Sequence, residues 1–290
     1  MKVDVKLDRV TVTGKCSDGR QLMDFAVKNG WTYRTDRDGH VMCVLERQFD
    51  NGDSENKAIL MPNIYQQASW RVDTSNHLTD FEKRRVIKVI SKLAGAHWTR
   101  IDIAFDFVNG DVESMKHVIT RVGASQAEFR SYDESKIYGR SGRLETVYSG
   151  KRASERMIRV YDKLIEQKKH HHSVDSNVKR WERWEVQLRG RKTNEWLDSA
   201  NEMLNYIKLP NLESADINIR TKVMLNALNN HVISFSDLGK EARAKYHKLQ
   251  KNSVGYDIHY ADFARKILSE KVDDIRKELS QFLGKLSLEK

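Results

Sequence analysis

The chain has 290 residues, 39% hydrophobic and 32% charged, with six Trp, ten Tyr and nine Phe. That is enough apolar and aromatic material for a core, which excludes a wholly disordered chain, and enough length for one large domain or one of about 200 residues with a smaller companion. A net charge of +10 and a pI near 9.4 favour an anionic partner, nucleic acid above all.

No run approaches the roughly 18 apolar residues that a membrane span needs, and residues 1–14 alternate polar with apolar rather than forming a signal-peptide core. No membrane partner is expected. Cys16 and Cys43 are too few for a disulfide framework or a zinc site, and read as free thiols of a cytoplasmic protein.

In chain order, VKLDRVTVTG alternates as a strand that ends at Gly14, and Asp18 to Gly30 holds a short helix with Leu22, Phe25 and Ala26 on one side. From Trp31 to Trp70, short alternations broken by DRDG and DNGD predict hairpins. In TDFEKRRVIKVISKLAG, Thr79 and Glu82 form a capping box, and Val86, Val89, Ile90 and Leu93 repeat at helical spacing up to Gly95. HWTRIDIAFDFVNGD reads as a strand closing at Asn109-Gly110, and a helix is predicted from Asp111 to about Val122. RLETVYSG and RWERWEVQLRG read as strands, and Asn194 to Ile207 as a helix.

This mixture predicts an α+β fold: an antiparallel-rich central sheet with flanking helices, followed by a smaller, mostly helical C-terminal region. Pro210 marks the shift, dividing residues 1–209, which would carry the site, from 210–290. Near the end, Leu268, Val272, Ile275, Leu279, Phe282 and Leu286 recur at 4,3,4,3,4 spacing. Such a seam packs on the protein's own body or, alternatively, makes a homodimer contact.

Between Arg140 and Arg191 stand 14 Lys and Arg against 7 Asp and Glu, a surplus of 14 − 7 = +7 in under a fifth of the chain. Basic runs are usually solvated faces, but Tyr138, Tyr148, Tyr161, Trp181 and Trp184 border or interleave this one, the mixture that holds a phosphate backbone and stacks bases. Arg143, Lys151, Arg152, Arg156, Arg189 and Arg191 are the candidate DNA contacts.

On a strand, RIDIAFDF places Asp102, Ala104 and Asp106 on one face and Ile101, Ile103 and Phe105 on the other. RWERWEVQLRG likewise puts Arg183, Glu185, Gln187 and Arg189 opposite Trp184, Val186 and Leu188. If the strands are neighbours, Asp102, Asp106 and Glu185 form an oxygen-only cluster suited to Mg²⁺ or Mn²⁺; the plainer reading is a set of salt bridges among the same residues. In MIRVYDK, extension sets Arg159, Tyr161 and Lys163 on one face. Flanking cations can activate a phenol, although a tyrosine in a basic strand is more often a packing or hydrogen-bonding residue. His170 to His172, in QKKHHHSVDSN, lack the alternation of a core-anchored metal motif and read as a solvated connection.

Three blocks in order resemble the replication initiation factor family, often called Rep_trans. TRIDIAFDF is similar to its Arg-x-Asp-x-x-x-Asp strand, ETVYSGKRASERMIRVYDKLIEQ to its Glu-Thr-x-Tyr…Arg-x-Tyr-Asp-Lys block, and RWEVQLRGR to its Arg-x-Glu-hydrophobic-Gln strand. They span about Trp98 to Arg191, and no family pattern follows Pro210. The resemblance implies a rolling-circle replication initiator: a metal-dependent site-specific DNA endonuclease and strand transferase of a plasmid or phage. Its nucleophile falls on Tyr161 rather than Tyr148, its metal ligands on Asp102, Asp106 and Glu185 for Mg²⁺ or Mn²⁺, and Arg159, Lys163 and Arg183 would stabilise the transition state. The implied partners are origin DNA, as duplex and as single strand or hairpin, with host helicase and DNA polymerase. The nick would leave a 5′-phosphotyrosine and a 3′-OH primer, and the strand would later be rejoined. Tyr148, Tyr138 or a second protomer's Tyr161 are candidates for that closing step. Two alternatives stay open: a conjugative relaxase of an integrative element, and a non-catalytic origin-binding regulator.

Overall fold

The computed structural model describes the chain apart from residues 51, 64–67, 76–77, 121–133, 151–153, 171, 214, 231 and 285–290. The elements run β1 (Lys2–Lys15), α1 (Gly19–Lys28), β2 (Thr32–Thr35), β3 (Val41–Gln48), β4 (Ser54–Pro62), β5 (Ser69–Thr74), α2 (Asp80–Ile90) and β6 (Ala94–Val108). After β7 (Val118–Ile119), β8 (Glu134–Tyr138) and β9 (Leu144–Ser149) come β10 (Arg156–Asp162), α3 (Lys163–Lys169) and β11 (Trp181–Arg189). The remainder is α4 (Trp196–Leu204), β12 (Ile207–Pro210), α5 (Ile219–Asn229), α6 (Lys240–Lys251), β13 (Tyr256–Asp257) and α7 (His259–Phe282). The α+β class, its antiparallel-rich sheet and its helical C-terminal part are as expected. Among the described residues, no helix is long and apolar enough to cross a membrane.

The chain divides into two compact units. The first holds residues 1–5, 104–187 and 197–270; the second holds 6–103, 188–196 and 271–290.

In the second unit the strands lie in the order β2-β3-β4-β5-β1, with every neighbouring pair antiparallel, and the early part of β6 follows β1. Helix α1 starts where Asp18 accepts from the Gln21 N–H at 2.8 Å. It stops at Gly30, whose φ of +82° suits the residue that lacks a Cβ. Helix α2 has the predicted capping box, Thr79 and Glu82 exchanging side-chain and backbone bonds, while Glu82 also binds Arg47. Val86, Val89 and Ile90 are buried from this helix. The C-terminal seam is buried too at Ile275, Leu279 and Phe282, with Trp98 edge-on to Phe282 at 6.2 Å, so it packs on the protein's own body. Leu286 lies outside the described residues.

In the first unit the order is the later part of β6, then β11, β10, β9 and β8, with β10–β9 and β9–β8 antiparallel. A small antiparallel sheet joins β13, β12 and β7. Phe107, Trp184, Tyr260 and His117 form an aromatic core, with Phe107 4.5 Å from Trp184 and 5.0 Å from Tyr260. Asn109 turns the chain at φ +52°, and its side-chain oxygen accepts from the Lys179 N–H at 2.7 Å. Pro210 ends β12.

The helix expected from Asp111 to Val122 is not formed over 111–120; residues 121–122 lie outside the described chain. The backbone donors a helix would use are taken by tertiary partners. Val112 N donates to the Tyr260 hydroxyl at 3.3 Å, Met115 N to Glu182 at 2.5 Å, and Thr120 N to the Tyr206 carbonyl at 2.6 Å. Met115 also sits at φ +71°, outside helical space. The helix expected to run to Ile207 is shorter, because Ile207 pairs with Ile119 in the small sheet.

Removing the α2 cap with Thr79→Ala should cost about 1 kcal/mol, read as a lower urea midpoint at unchanged slope, and Thr79→Ser should retain most of that stability.

Candidate active site

Strands β10 and β11 are neighbours, and both are buried on both faces along most of their length. Alternation puts Arg159 and Tyr161 on one face of β10, and Arg183 and Glu185 on one face of β11. These side chains meet. The Tyr161 hydroxyl donates to Glu185 Oε1 at 2.6 Å, and Arg159 Nη1 donates to Glu185 Oε2 at 3.3 Å. The Arg159 guanidinium carbon lies 3.8 Å from the Tyr161 ring centroid and 5.7 Å from that of Tyr148, its cross-strand partner on β9.

Tyr161 is 2% exposed. Burial chiefly, and then the Glu185 charge, push its phenol far above the usual value, against the opposing pull of Arg183 and Arg159. The hydroxyl is therefore a neutral donor to a carboxylate.

Asp106, on β6, takes a two-pronged bond from Arg183: Nε to Oδ1 at 2.6 Å and Nη2 to Oδ2 at 2.8 Å. Trp181 Nε1 adds a third bond to Oδ1 at 2.8 Å, and Arg183 is 0% exposed. Asp102, described with the second unit, takes Arg100 Nε at 2.8 Å. Its burial outweighs that arginine and raises the carboxyl above its ordinary range. Every carboxylate expected as a metal ligand thus carries an arginine.

As they stand, Asp106 and Glu185 do not fit a shared divalent cation. Their oxygens face guanidinium, indole and phenol donors, and an added cation would have to displace like charge. Among the described residues, the group of three whose ligand atoms gather within 4.8 Å is Asp36, Asp38 and His40. It could hold a metal, but it is first a hairpin turn: Asp36 Oδ1 accepts from Asp38 N at 2.9 Å and His40 N at 2.8 Å.

Lys163 does not continue the strand face, as extension of MIRVYDK would require. It opens α3, which Asp162 caps by accepting from Ile165 N at 3.0 Å. Its ammonium still lies 5.6 Å from the Tyr161 ring centroid while pairing with Glu166 at 2.6 Å.

Of the candidate DNA contacts, Arg143 is exposed and pairs with Asp162 at 3.0 Å. Arg156 is buried against Glu202 at 2.6 Å. Arg189 is half-buried and Arg191 exposed, both in the second unit. Lys151 and Arg152 lie outside the described residues. His170 and His172 are exposed beyond α3, and His171 is outside the description.

A further pair was not anticipated. His117 Nδ1 lies 2.7 Å from Glu182 Oε1, a close approach without hydrogen-bond alignment, and Trp184 Nε1 donates to the same oxygen at 2.7 Å. The available signal was parity. Glu182 falls on the apolar face of β11 with Trp184, Val186 and Leu188, where a carboxylate requires partners.

Residues 96–235 match the model of the replication initiation factor family. The chain is 23% identical over 287 residues to a replication initiation protein of Staphylococcus aureus, covering 95% of this chain and 84% of that protein. A second replication initiation protein of that organism is 26% identical over 221 residues, covering 75% and 65% respectively. Among solved structures, a rolling circle replication initiator protein from Geobacillus stearothermophilus aligns over 75% of this chain and 90% of its own, with a TM-score of 0.46 and 13% identity. The matched segment takes in the three motif blocks, with Tyr161 and Glu185 inside it.

Two outcomes follow from the buried charges. Asp106→Ala, by removing the bidentate counter-ion of Arg183, should cost about 3–5 kcal/mol in chemical denaturation. A phenol whose folded pKa is raised contributes stability fully below its unfolded value near 10, and loses it as pH rises towards the folded value. Stability should therefore fall above pH ~10, with Tyr161 contributing up to about 1.4 kcal/mol per pH unit. Tyr161→Phe should remove that share of the slope in alkaline urea titrations.

Proposed function

We propose that this protein is a rolling-circle replication initiator that nicks one strand of its plasmid or phage origin with Tyr161. The observation that carries the reading is the 2.6 Å bond from the Tyr161 hydroxyl to Glu185, flanked by arginine, inside the segment that matches the family.

In this reading Glu185 takes the phenolic proton as the Tyr161 oxygen attacks the scissile phosphorus. The bond from phosphorus to O3′ breaks. The 5′ phosphate stays on Tyr161 as an ester, and the departing O3′ takes up a proton to become the 3′-OH. Arg159 and Arg183, with Lys163 near the ring, offset the charge that builds on the phosphoryl oxygens. Arg159, 27% exposed and lying over the Tyr161 ring, meets an incoming phosphate first. Its movement towards that phosphate would uncover the phenol. Attack by the 3′-OH on the phosphotyrosine reverses the step and rejoins the strand, so the ester conserves the bond energy.

Because Asp106 and Glu185 already hold arginine, no step here runs through a metal. The Mg²⁺ or Mn²⁺ requirement implied by the family resemblance is left to the metal arm of the test. Origin DNA, host helicase and polymerase are the proposed partners, and 210–290 the proposed region for origin recognition. The burial of Tyr161 supports a second reading, an origin-binding regulator that keeps the fold without the chemistry.

The test incubates the protein with supercoiled origin plasmid, with and without Mn²⁺, and resolves the products on denaturing gels. Nicked circles carrying covalently bound protein are expected. Tyr161→Phe should abolish them, and Glu185→Gln should slow their appearance by about 10²–10⁴-fold. Unchanged nicking by Tyr161→Phe sinks the mechanism, and origin binding without nicking by the unaltered protein supports the regulator.

A further inference from the structure

Tyr161 uses one face of the first unit's sheet; the other face carries two adjoining clefts. Strand register fixes the sides. Val160, on the face opposite Tyr161, pairs with Val147, which pairs in turn with Lys136. Val147 and Lys136 line a cleft of about 520 Å³. Asp162, also of that parity, lines a neighbouring cleft of about 680 Å³, and Met115, Lys116 and Leu144 border both.

The two clefts differ in chemistry. The larger is lined by Lys116, Arg143, Lys168, Lys179 and Arg180 against the acids Glu113 and Asp162, a surplus of 5 − 2 = +3. Asp162 is held by Arg143, and Glu113 lies 3.8 Å from Lys116. The smaller is amphipathic. Val118 and Leu209 give it apolar walls, Asn226, Asn229 and Asn230 supply amides, and Tyr138 stands at its edge on the outermost strand, 57% exposed. Two residues lining it carry buried polar atoms with no hydrogen-bond partner among the described residues: Asn229 Nδ2 and His117 Nε2. Buried polar groups are normally satisfied, so orphans beside a cleft point to a ligand that brings its own donors and acceptors.

We propose that these clefts form a nucleotide-binding site separate from the Tyr161 face: the basic cleft takes backbone phosphate, and the amphipathic cleft takes one unstacked base against Tyr138. Cationic side chains beside an aromatic and amide groups is the chemistry that recognises a phosphate joined to a planar heteroaromatic ring. A strand of DNA and a free nucleoside phosphate share it. The choice of a DNA single strand rests on the proposed function; the chemistry of the clefts does not depend on Tyr161. Such a site would grip a segment of single strand away from the reacting phosphate and keep it from re-annealing.

The test measures anisotropy of a fluorescent single strand bound to the full-length protein, compared with a strand of equal length that carries abasic sugars internally. The unaltered protein should prefer the base-bearing strand by about tenfold, the size of one aromatic–base stack. Tyr138→Ala, at an exposed position, should erase that preference while leaving affinity for the abasic strand in place. Lys168→Glu should weaken both strands alike and flatten the dependence of log affinity on log salt by roughly 1. The anisotropy reads binding with no nicking step, so failed nicking and a failed site are told apart. Equal affinity for the two strands, a preference that survives Tyr138→Ala, or a salt dependence unmoved by Lys168→Glu each overturns the site. Binding of deoxynucleoside monophosphate with no binding of either strand overturns the choice of DNA.

Discussion

The local structure around Tyr161 follows from one constraint: charge buried between β-strands has to be neutralised where it stands. Arg183, Asp106 and Glu185 lie on strands with almost no access to water, and stranding any of them would cost several kcal/mol. The pairings answer that demand. Asp106 takes Arg183 in two parallel bonds, a geometry for which the planar guanidinium is preorganised. Glu185 takes Arg159 together with the Tyr161 hydroxyl. The phenol thereby donates to a carboxylate, stays neutral and lies against the Arg159 guanidinium.

The same economy shapes the opposite face of the first unit. Glu182 sits among aromatic side chains and is satisfied by the Trp184 indole and the Met115 backbone, with His117 close by. By drawing in Met115 N, it helps hold the 111–120 segment in an irregular path along the cleft edge. A carboxylate on an apolar face therefore trades a helix for a wall. Tyr260, from α7, completes that wall by accepting from Val112 and donating to Asp111 at 2.9 Å.

In the proposed function the protein holds DNA and acts on a single phosphodiester, and these tasks make opposite demands on exposure. Chemistry gains from a dry, preorganised setting, whereas grip along a backbone gains from exposed, mobile cations. On that proposal the demands fall on opposite faces of the first unit's sheet. The phenol and its carboxylate are enclosed, while Lys116, Lys168 and Lys179 line open clefts. Because successive residues of a strand alternate sides, a few residues of β10 reach both faces: Tyr161 faces one way and Asp162 the other.

By itself the sequence determined the elements whose signals are local. The alternation of RIDIAFDF and RWEVQLRG, the Thr79–Glu82 capping box, the Asp18 and Gly30 helix ends and the apolar seam of α7 are written in short-range periodicity, and they appear as read. The three motif blocks likewise made the replication initiation factor resemblance legible before any geometry. Only the tertiary structure decided who neutralises whom. That Glu185 would accept from Tyr161 and Arg159 while Asp106 took Arg183 depends on strand order and register, which join residues 24 to 77 apart in the chain. It also decided the fate of 111–120, where a helix was predicted but the backbone donors found Glu182, Tyr260 and Tyr206 instead. Periodicity reports what a segment prefers on its own. Long-range hydrogen bonds to buried groups outweigh that preference, because an unpaired buried carboxylate costs more than a lost turn of helix.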